Sequence, residues 1–202
     1  MLVFIDLGLD KTIKRVYNIT MKVDLVTIPN FFKDPNSIFE LAKRQQFYSR
    51  AENPDSDNIF YCGTRTMPLS SVLVPKVYDG LLREFFDRVF QVVEPPKQNV
   101  GFELNCVFHS LTETDRITPT DLHQDSSLVA GVVYLNDVIE IDPSYTGTIL
   151  MKDSEKINVP YEYNKLVLYS GKYFHSANAG FGNDIASSRL TLNMFFNVKE
   201  IE

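Results

Sequence analysis

The sequence is poor in histidine and cysteine and has no block of basic residues. Three histidines in 202 residues leave few ways to build an imidazole-based site. Two cysteines, Cys62 and Cys106, are too few for a disulfide framework and fit a reducing compartment. Cys106 alternates with Leu104 and Phe108, the pattern of a small core residue in a strand. Lysine and arginine total 20 against 26 acidic residues, a net charge of −6. That balance argues against non-specific binding to a phosphate backbone, so no nucleic-acid partner is expected. No apolar run is long enough to span a membrane, and no membrane partner is expected. The apolar Met1–Leu9 stretch carries Asp6 and lacks a basic n-region and a small-residue cleavage site, so it does not read as a signal peptide. A cytoplasmic location is the expectation. There is no internal repeat and no low-complexity segment.

What is present supports one well-cored domain spanning 1–202, since 44% of the residues are hydrophobic. Val3-Phe4-Ile5, Ile13 to Ile19 and Val23 to Ile28 are rich in β-branched residues and read as short strands. Met21 is an alternative start. Asp34-Pro35 opens a helix, with Asp34 as its N-cap. Residues 49–60 are polar and turn-rich and read as a loop. A second helix is expected from Pro75 to Val93, because Leu81, Leu82, Phe85, Phe86, Val89, Phe90 and Val93 form a wide apolar stripe. Such a stripe belongs on a sheet, not on a partner.

From Val100 the period changes to two. Phe102, Leu104, Cys106 and Phe108 alternate with Glu103, Asn105, Val107 and His109. Leu128 to Asn136 and Lys165 to Tyr169 are apolar strands. Ser188 to Phe196 alternates strictly, with Leu190, Leu192, Met194 and Phe196 on one face and Arg189, Thr191 and Asn193 on the other. Residues 1–99 thus supply strands and supporting helices, and residues 100–198 a core of short strands. The expectation is a mostly β fold with a helical buttress, a double-stranded β-helix (a cupin-like jelly roll) with the N-terminal helices packed on one sheet.

The chemistry gathers at Asp121-Leu122-His123-Gln124-Asp125. In an extended strand His123 and Asp125 point the same way. A third ligand is on offer from His175. Two histidines and one carboxylate leave three positions of a metal open, the facial arrangement of non-haem Fe(II) oxygenases. The competing reading of each is a polar residue at a strand end. His109 is expected to be such a satisfied polar residue and not a ligand. Arg189 follows His175 by fourteen residues and offers a planar fork that matches a carboxylate.

This order, His-x-Asp, then His, then Arg-x-Thr on a late strand, resembles the 2-oxoglutarate- and Fe(II)-dependent oxygenase superfamily. It is most similar to its prolyl-hydroxylase-like branch and to small oxygenase-like proteins of phages and bacteria. The resemblance covers roughly residues 100–198. It implies Fe(II) on His123, Asp125 and His175, with O2 and 2-oxoglutarate as co-reactants. It also implies that Arg189, Thr191 and Tyr134 (in Tyr134-Leu135-Asn136) hold the far carboxylate of 2-oxoglutarate. Succinate and CO2 would be released as a C–H bond is hydroxylated. Gly63-Thr64-Arg65-Thr66 is similar to an element found ahead of the metal strand in some of these small proteins; a plain loop is the other reading. Asp125 is the carboxylate that related halogenases lack, and Phe195 stands where nucleic-acid demethylases carry a second arginine. The tyrosine that prolyl hydroxylases place shortly before His-x-Asp is missing from Thr112 to Leu122.

The expected substrate is a peptidyl side chain, with prolyl as one candidate. A free amino acid or other small metabolite is the alternative. The long polar loops Arg50–Thr66 and Asp137–Thr146 are the expected recognition segments. Two other classes stay open at this point: a cupin-like metal protein of different chemistry, and a structural jelly roll.

Overall fold

The computed structural model describes residues 2–4, 23–53, 61–95, 100–118, 121–137 and 142–200. Within them the chain is mostly β, with four helices and antiparallel pairing throughout. The elements, in order, are β1 (Leu2–Phe4), β2 (Leu25–Ile28), α1 (Pro35–Lys43), β3 (Phe47–Ser49), β4 (Thr64–Thr66), α2 (Leu69–Val72) and α3 (Pro75–Val89). They continue with β5 (Val100–Leu111), β6 (Val129–Tyr134), α4 (Pro143–Thr146), β7 (Thr148–Lys152), β8 (Glu155–Val159), β9 (Leu166–Ser170), β10 (Phe174–Ala177) and β11 (Arg189–Glu200). The expected strand at Ile13 to Ile19, and Met21, lie outside the described residues.

An eight-stranded sheet runs β2-β9-β6-β11-β5-β4-β3, with β1 also paired to β5. A three-stranded sheet runs β10-β7-β8. The long strands β5 and β11 pair over their full length, from Arg189 opposite Leu111 to Glu200 opposite Val100. Their alternation creates two different faces. Phe102, Leu104, Cys106 and Phe108 join Leu190, Leu192, Met194 and Phe196 on one, against Leu81, Leu82, Phe85, Phe86 and Val89 of α3. The Phe86 ring lies 5.0 Å from that of Phe102, and the Phe85 ring 6.0 Å from that of Phe196. Edge-on and tilted aromatic packing of this kind adds roughly 0.5–1.5 kcal/mol per pair beyond the area buried. The stripe is core, as its width requires.

The other face turns toward the smaller sheet. There Ala130, Val132 and Tyr134 of β6 and Val167 and Tyr169 of β9 meet Leu150, Val159, Tyr161 and Phe181.

Local chemistry explains most boundaries. Asp34 caps α1 by accepting from the Ser37 N–H at 3.1 Å, with Pro35 in the first turn. The second long helix is shorter than the sequence suggests: α3 ends at Val89, and Phe90 to Val93 continue as turns. Val93 stays buried, so the apolar stripe outlasts the helix ahead of Glu94-Pro95. The β7–β8 hairpin turns on Asp153 and Ser154, both left-handed (φ 47° and 70°). Such a two-residue turn matches the twist of its strands, which offsets the cost of positive φ without glycine. The two cysteines are free. No helix among the described residues is long and apolar enough to cross a membrane.

Candidate metal centre

His123 lies on a short extended segment that pairs with β10. Its N–H donates to the His175 carbonyl at 3.1 Å, and the His175 N–H donates back at 2.9 Å. The Asp125 N–H donates to the Gly171 carbonyl at 2.8 Å, fixing the next turn of the same segment. Gly171 has to be glycine here: a Cβ would sit 2.1 Å from the Ser127 carbonyl oxygen. Two backbone strands therefore bring His123, Asp125 and His175 together from sequence positions fifty residues apart.

The ligand atoms lie within 4.8 Å of one another. His123 Nε2 is 3.9 Å from Asp125 Oδ1, and His175 Nε2 is 3.2 Å from Asp125 Oδ2. Both Nδ1 atoms donate to backbone carbonyls, His123 to Asp121 at 2.7 Å and His175 to Tyr173 at 2.9 Å. That fixes the Nε2 lone pairs toward the carboxylate in the neutral imidazoles, the usual outer support of a metal-binding histidine. Burial holds the His123 imidazole below its ordinary value, against the opposing pull of the Asp121 carbonyl. Asp125 Oδ2 is buried without a hydrogen-bond partner. Acceptors facing acceptors in a buried site are unfavourable unless a cation stands between them. The donor set fits a divalent metal.

The residues expected to hold a cosubstrate lie on β11 and β6 of the larger sheet, whereas His175 belongs to the smaller one. Arg189, buried at the start of β11, donates from Nε to the Thr146 carbonyl at 2.9 Å. Its Nη2 donates to the Gly147 carbonyl at 3.1 Å and to Thr148 Oγ1 at 3.3 Å. The guanidinium also covers the Tyr134 ring at 5.3 Å. No carboxylate neutralises it among the described residues. The Tyr134 hydroxyl bonds Thr148 Oγ1 at 2.8 Å, and its ring lies 4.5 Å from that of Tyr161. Thr191 Oγ1 donates to Asn193 Oδ1 at 2.8 Å. Arg189 and Tyr134 thus share Thr148, while Thr191 faces Asn193 on the same side of β11.

His109 is not part of the metal cluster. Its Nε2 donates to the Cys62 carbonyl at 2.6 Å, and burial, reinforced by Arg65, holds it well below its ordinary value. It is a neutral, satisfied histidine in the wall of the cavity.

Within the Gly63–Thr66 stretch, Thr64–Thr66 form strand β4, so the stretch is not a plain loop. Arg65 pairs with His109 in register, and the Thr66 hydroxyl accepts from the Phe108 N–H at 3.0 Å. A cleft lined by Tyr61, Cys62, Arg65, His109, Asp121 and His123 opens beside the metal cluster. The end of one expected recognition loop therefore reaches the site, although 54–60 lie outside the described residues. Of the other loop, 138–141 lie outside the described residues. Its last turn, α4, ends at Thr146, whose carbonyl holds Arg189.

The family model that matches is described as a family of unknown function (DUF6445) and covers residues 153–196, which include His175, Arg189 and Thr191. No curated protein matches the sequence. Solved structures do resemble the fold. An oxidoreductase of the 2OG-Fe(II) oxygenase family from Burkholderia pseudomallei is 13% identical, with 86% of this chain and 84% of that one covered and a TM-score of 0.56. HygX from Streptomyces hygroscopicus, with nickel, 2-oxoglutarate and hygromycin B bound, is 13% identical over 86% and 82% of the chains at a TM-score of 0.55. The non-heme alpha-ketoglutarate-dependent epimerase SnoN from nogalamycin biosynthesis is 14% identical over 86% and 77% at 0.52. At these identities the likeness is one of fold: mostly β, antiparallel, with a few helices, like the 2OG-Fe(II) oxygenases.

Proposed function

We propose that this protein is an Fe(II)- and 2-oxoglutarate-dependent dioxygenase that hydroxylates a C–H bond of its substrate. The observation that carries the reading is the preformed donor set: two Nε2 lone pairs and the orphaned Asp125 Oδ2 converging on one point. The fold likeness to 2OG-Fe(II) oxygenases supports it. In this reading the two sheets form a double-stranded β-helix, and the chain is a single domain in which residues 1–99 buttress a core of 100–198.

His123, Asp125 and His175 would hold the metal. With 2-oxoglutarate and O2, that group would supply the oxidant for hydroxylation of a C–H bond, with succinate and CO2 as co-products. Arg189 would neutralise the far carboxylate, and Tyr134 and Thr191 would orient it by hydrogen bonds. Thr146, Gly147 and Thr148 keep the Arg189 fork rigid, so little side-chain freedom is lost when an anion binds. The apolar shell of Leu150, Val132 and Tyr169 excludes water from the space between the sheets. A peptidyl side chain, with prolyl as one candidate, is the substrate class inferred from the long loops, and a free amino acid or small metabolite is the other. A cupin-like protein of other chemistry would not need the buried Arg189.

Metal analysis combined with succinate assay tests the proposal. One Fe(II) per chain and succinate release from 2-oxoglutarate under air are expected. A protein that binds metal yet leaves 2-oxoglutarate untouched in the presence of peptide and amino-acid pools would refute it.

A further inference from the structure

We propose that Arg65 is the group that recognises the primary substrate, and that the substrate presents a carboxylate to it across the cleft from His123. This deepens the oxygenase reading and rests on it.

Arg65 is half-buried as a residue, but its Nε is buried and has no hydrogen-bond partner. A buried charged donor is costly unless paired. Arg189, on the same face of the sheet, has protein acceptors for Nε and Nη2. Arg65 has no such acceptors, and its nearest support is the Tyr61 ring, 4.6 Å from the guanidinium carbon. Tyr61 is itself held by Asn53 Nδ2 at 3.0 Å and by the Tyr48 carbonyl at 3.3 Å, so the platform is fixed. Strand pairing of Arg65 with His109 fixes the backbone below it.

The carboxylates nearby are engaged elsewhere. Asp121 accepts from the Thr118 N–H. Asp115 accepts from the Thr112 N–H and hydroxyl at 2.7 and 2.9 Å. Asp125 faces the two histidines and forms its close contacts with them. Among the described residues no ion pair neutralises Arg65. Burial draws its pKa down to about 10, and Asp125 opposes that only in part. Burial and the neighbouring Arg65 hold His109 well below its ordinary value, so it adds no charge.

Charge balance selects the ligand. A divalent cation and the dianionic cosubstrate offset one another, Asp125 is taken up beside the two histidines, and Asp121 lines the cleft without forming an ion pair, so Arg65 is left without a paired anion among the described residues. A monoanion balances it, and a planar carboxylate matches the fork. The source of the carboxylate is either a free acid, such as an amino acid, or the terminus or acidic side chain of a peptide.

The test is a binding measurement without turnover. Protein loaded with Mn(II) and 2-oxoglutarate, free of oxygen, is titrated calorimetrically with L-amino acids and with acetylated tripeptides. Each probe is supplied both as the acid and as the carboxamide. Binders are expected among the acids, with at least about tenfold weaker binding of the matching carboxamide, the size of one charge-assisted contact. Arg65→Gln should show the same loss for the acid and none for the amide, with Arg65→Lys in between. Metal content, 2-oxoglutarate affinity and melting temperature of both variants should match wild type. Binding by free acids identifies a small-molecule substrate, and binding confined to peptides identifies a peptide one. A panel in which acids and amides bind alike, or in which no acid binds, overturns the proposal. So does Arg65→Gln weakening 2-oxoglutarate itself, which would assign Arg65 to the cosubstrate. Failure of the wild type to take up metal or 2-oxoglutarate fells the oxygenase reading first, before any probe is added.

Discussion

The two faces of β11 are built from one strand and obey opposite rules. On one, Leu190, Leu192, Met194 and Phe196 are fully buried against α3 and need nothing but shape. On the other, Arg189, Thr191 and Asn193 are buried too, yet each is polar. Burying polar groups costs free energy that the apolar face does not incur, and it is recovered only through specific partners. Arg189 finds three acceptors, and Thr191 finds Asn193 and the His109 carbonyl. Asp125 Oδ2 and Arg65 Nε find none in the protein. The apolar face therefore carries stability, and the polar face carries unmet demand for a cation and for anions.

That division can be broken by mutation. The largest effect is expected at the metal. His175→Ala or Asp125→Ala should abolish stoichiometric metal binding while the folded spectrum persists, because the helix-covered apolar core is untouched. Elemental analysis of purified variants decides it, and wild-type metal content in both single variants would remove the site.

Phe86→Ala should behave in the opposite way. It empties a space shared with Phe85, Phe90, Phe102 and Phe196. A cost of about 3–5 kcal/mol is expected in urea unfolding, with metal stoichiometry unchanged in the folded fraction. Selective loss of metal affinity at wild-type stability would show that the two faces are not separable.

Arg189→Ala sits between these extremes. It should weaken 2-oxoglutarate by roughly 1.5–3 kcal/mol and leave metal bound, with Lys restoring only part. The mechanism also requires lost stability, since the Thr146 and Gly147 carbonyls lose their donor. Equilibrium titration with 2-oxoglutarate reads the first effect; unchanged affinity would reassign Arg189 to structure alone.

The smallest effect is expected far from either face. Asp34→Ala removes the cap of α1 and should cost about 0.5–2 kcal/mol, with no change at the site. A measurable change in metal or 2-oxoglutarate binding would mean that α1 is coupled to the cleft.

Much of this was legible in the sequence because two periodicities carry it. The period-two pattern of residues 102–108 and 189–196 names both faces of the main sheet, and the helical stripe of Leu81 to Val89 names what covers one of them. His123, Asp125 and His175 were legible as a set because only three histidines exist to choose among. Arg65 was harder to read. Three residues of strand between turn-rich neighbours carry too little alternation to separate β4 from a loop, and its place opposite His109 depends on a long-range pairing. The β7–β8 turn was hidden because Asp153 and Ser154 adopt positive φ where glycine would have signalled it. The end of α3 was misplaced because Val93 is buried from a turn as fully as it would be from a helix. For the loop ending at Thr146, polarity does not show that its last carbonyl accepts from Arg189, a contact set by the fold and not by composition.

The central claim is that His123, Asp125 and His175 hold a metal to which 2-oxoglutarate binds directly. The most direct measurement is an anaerobic titration of the Fe(II)-loaded protein with 2-oxoglutarate, followed by visible absorption. The account predicts a charge-transfer band that saturates at one equivalent in the wild type, is missing in His175→Ala and requires more 2-oxoglutarate in Arg189→Ala. An Fe(II)-loaded wild type whose spectrum does not respond to 2-oxoglutarate would contradict it.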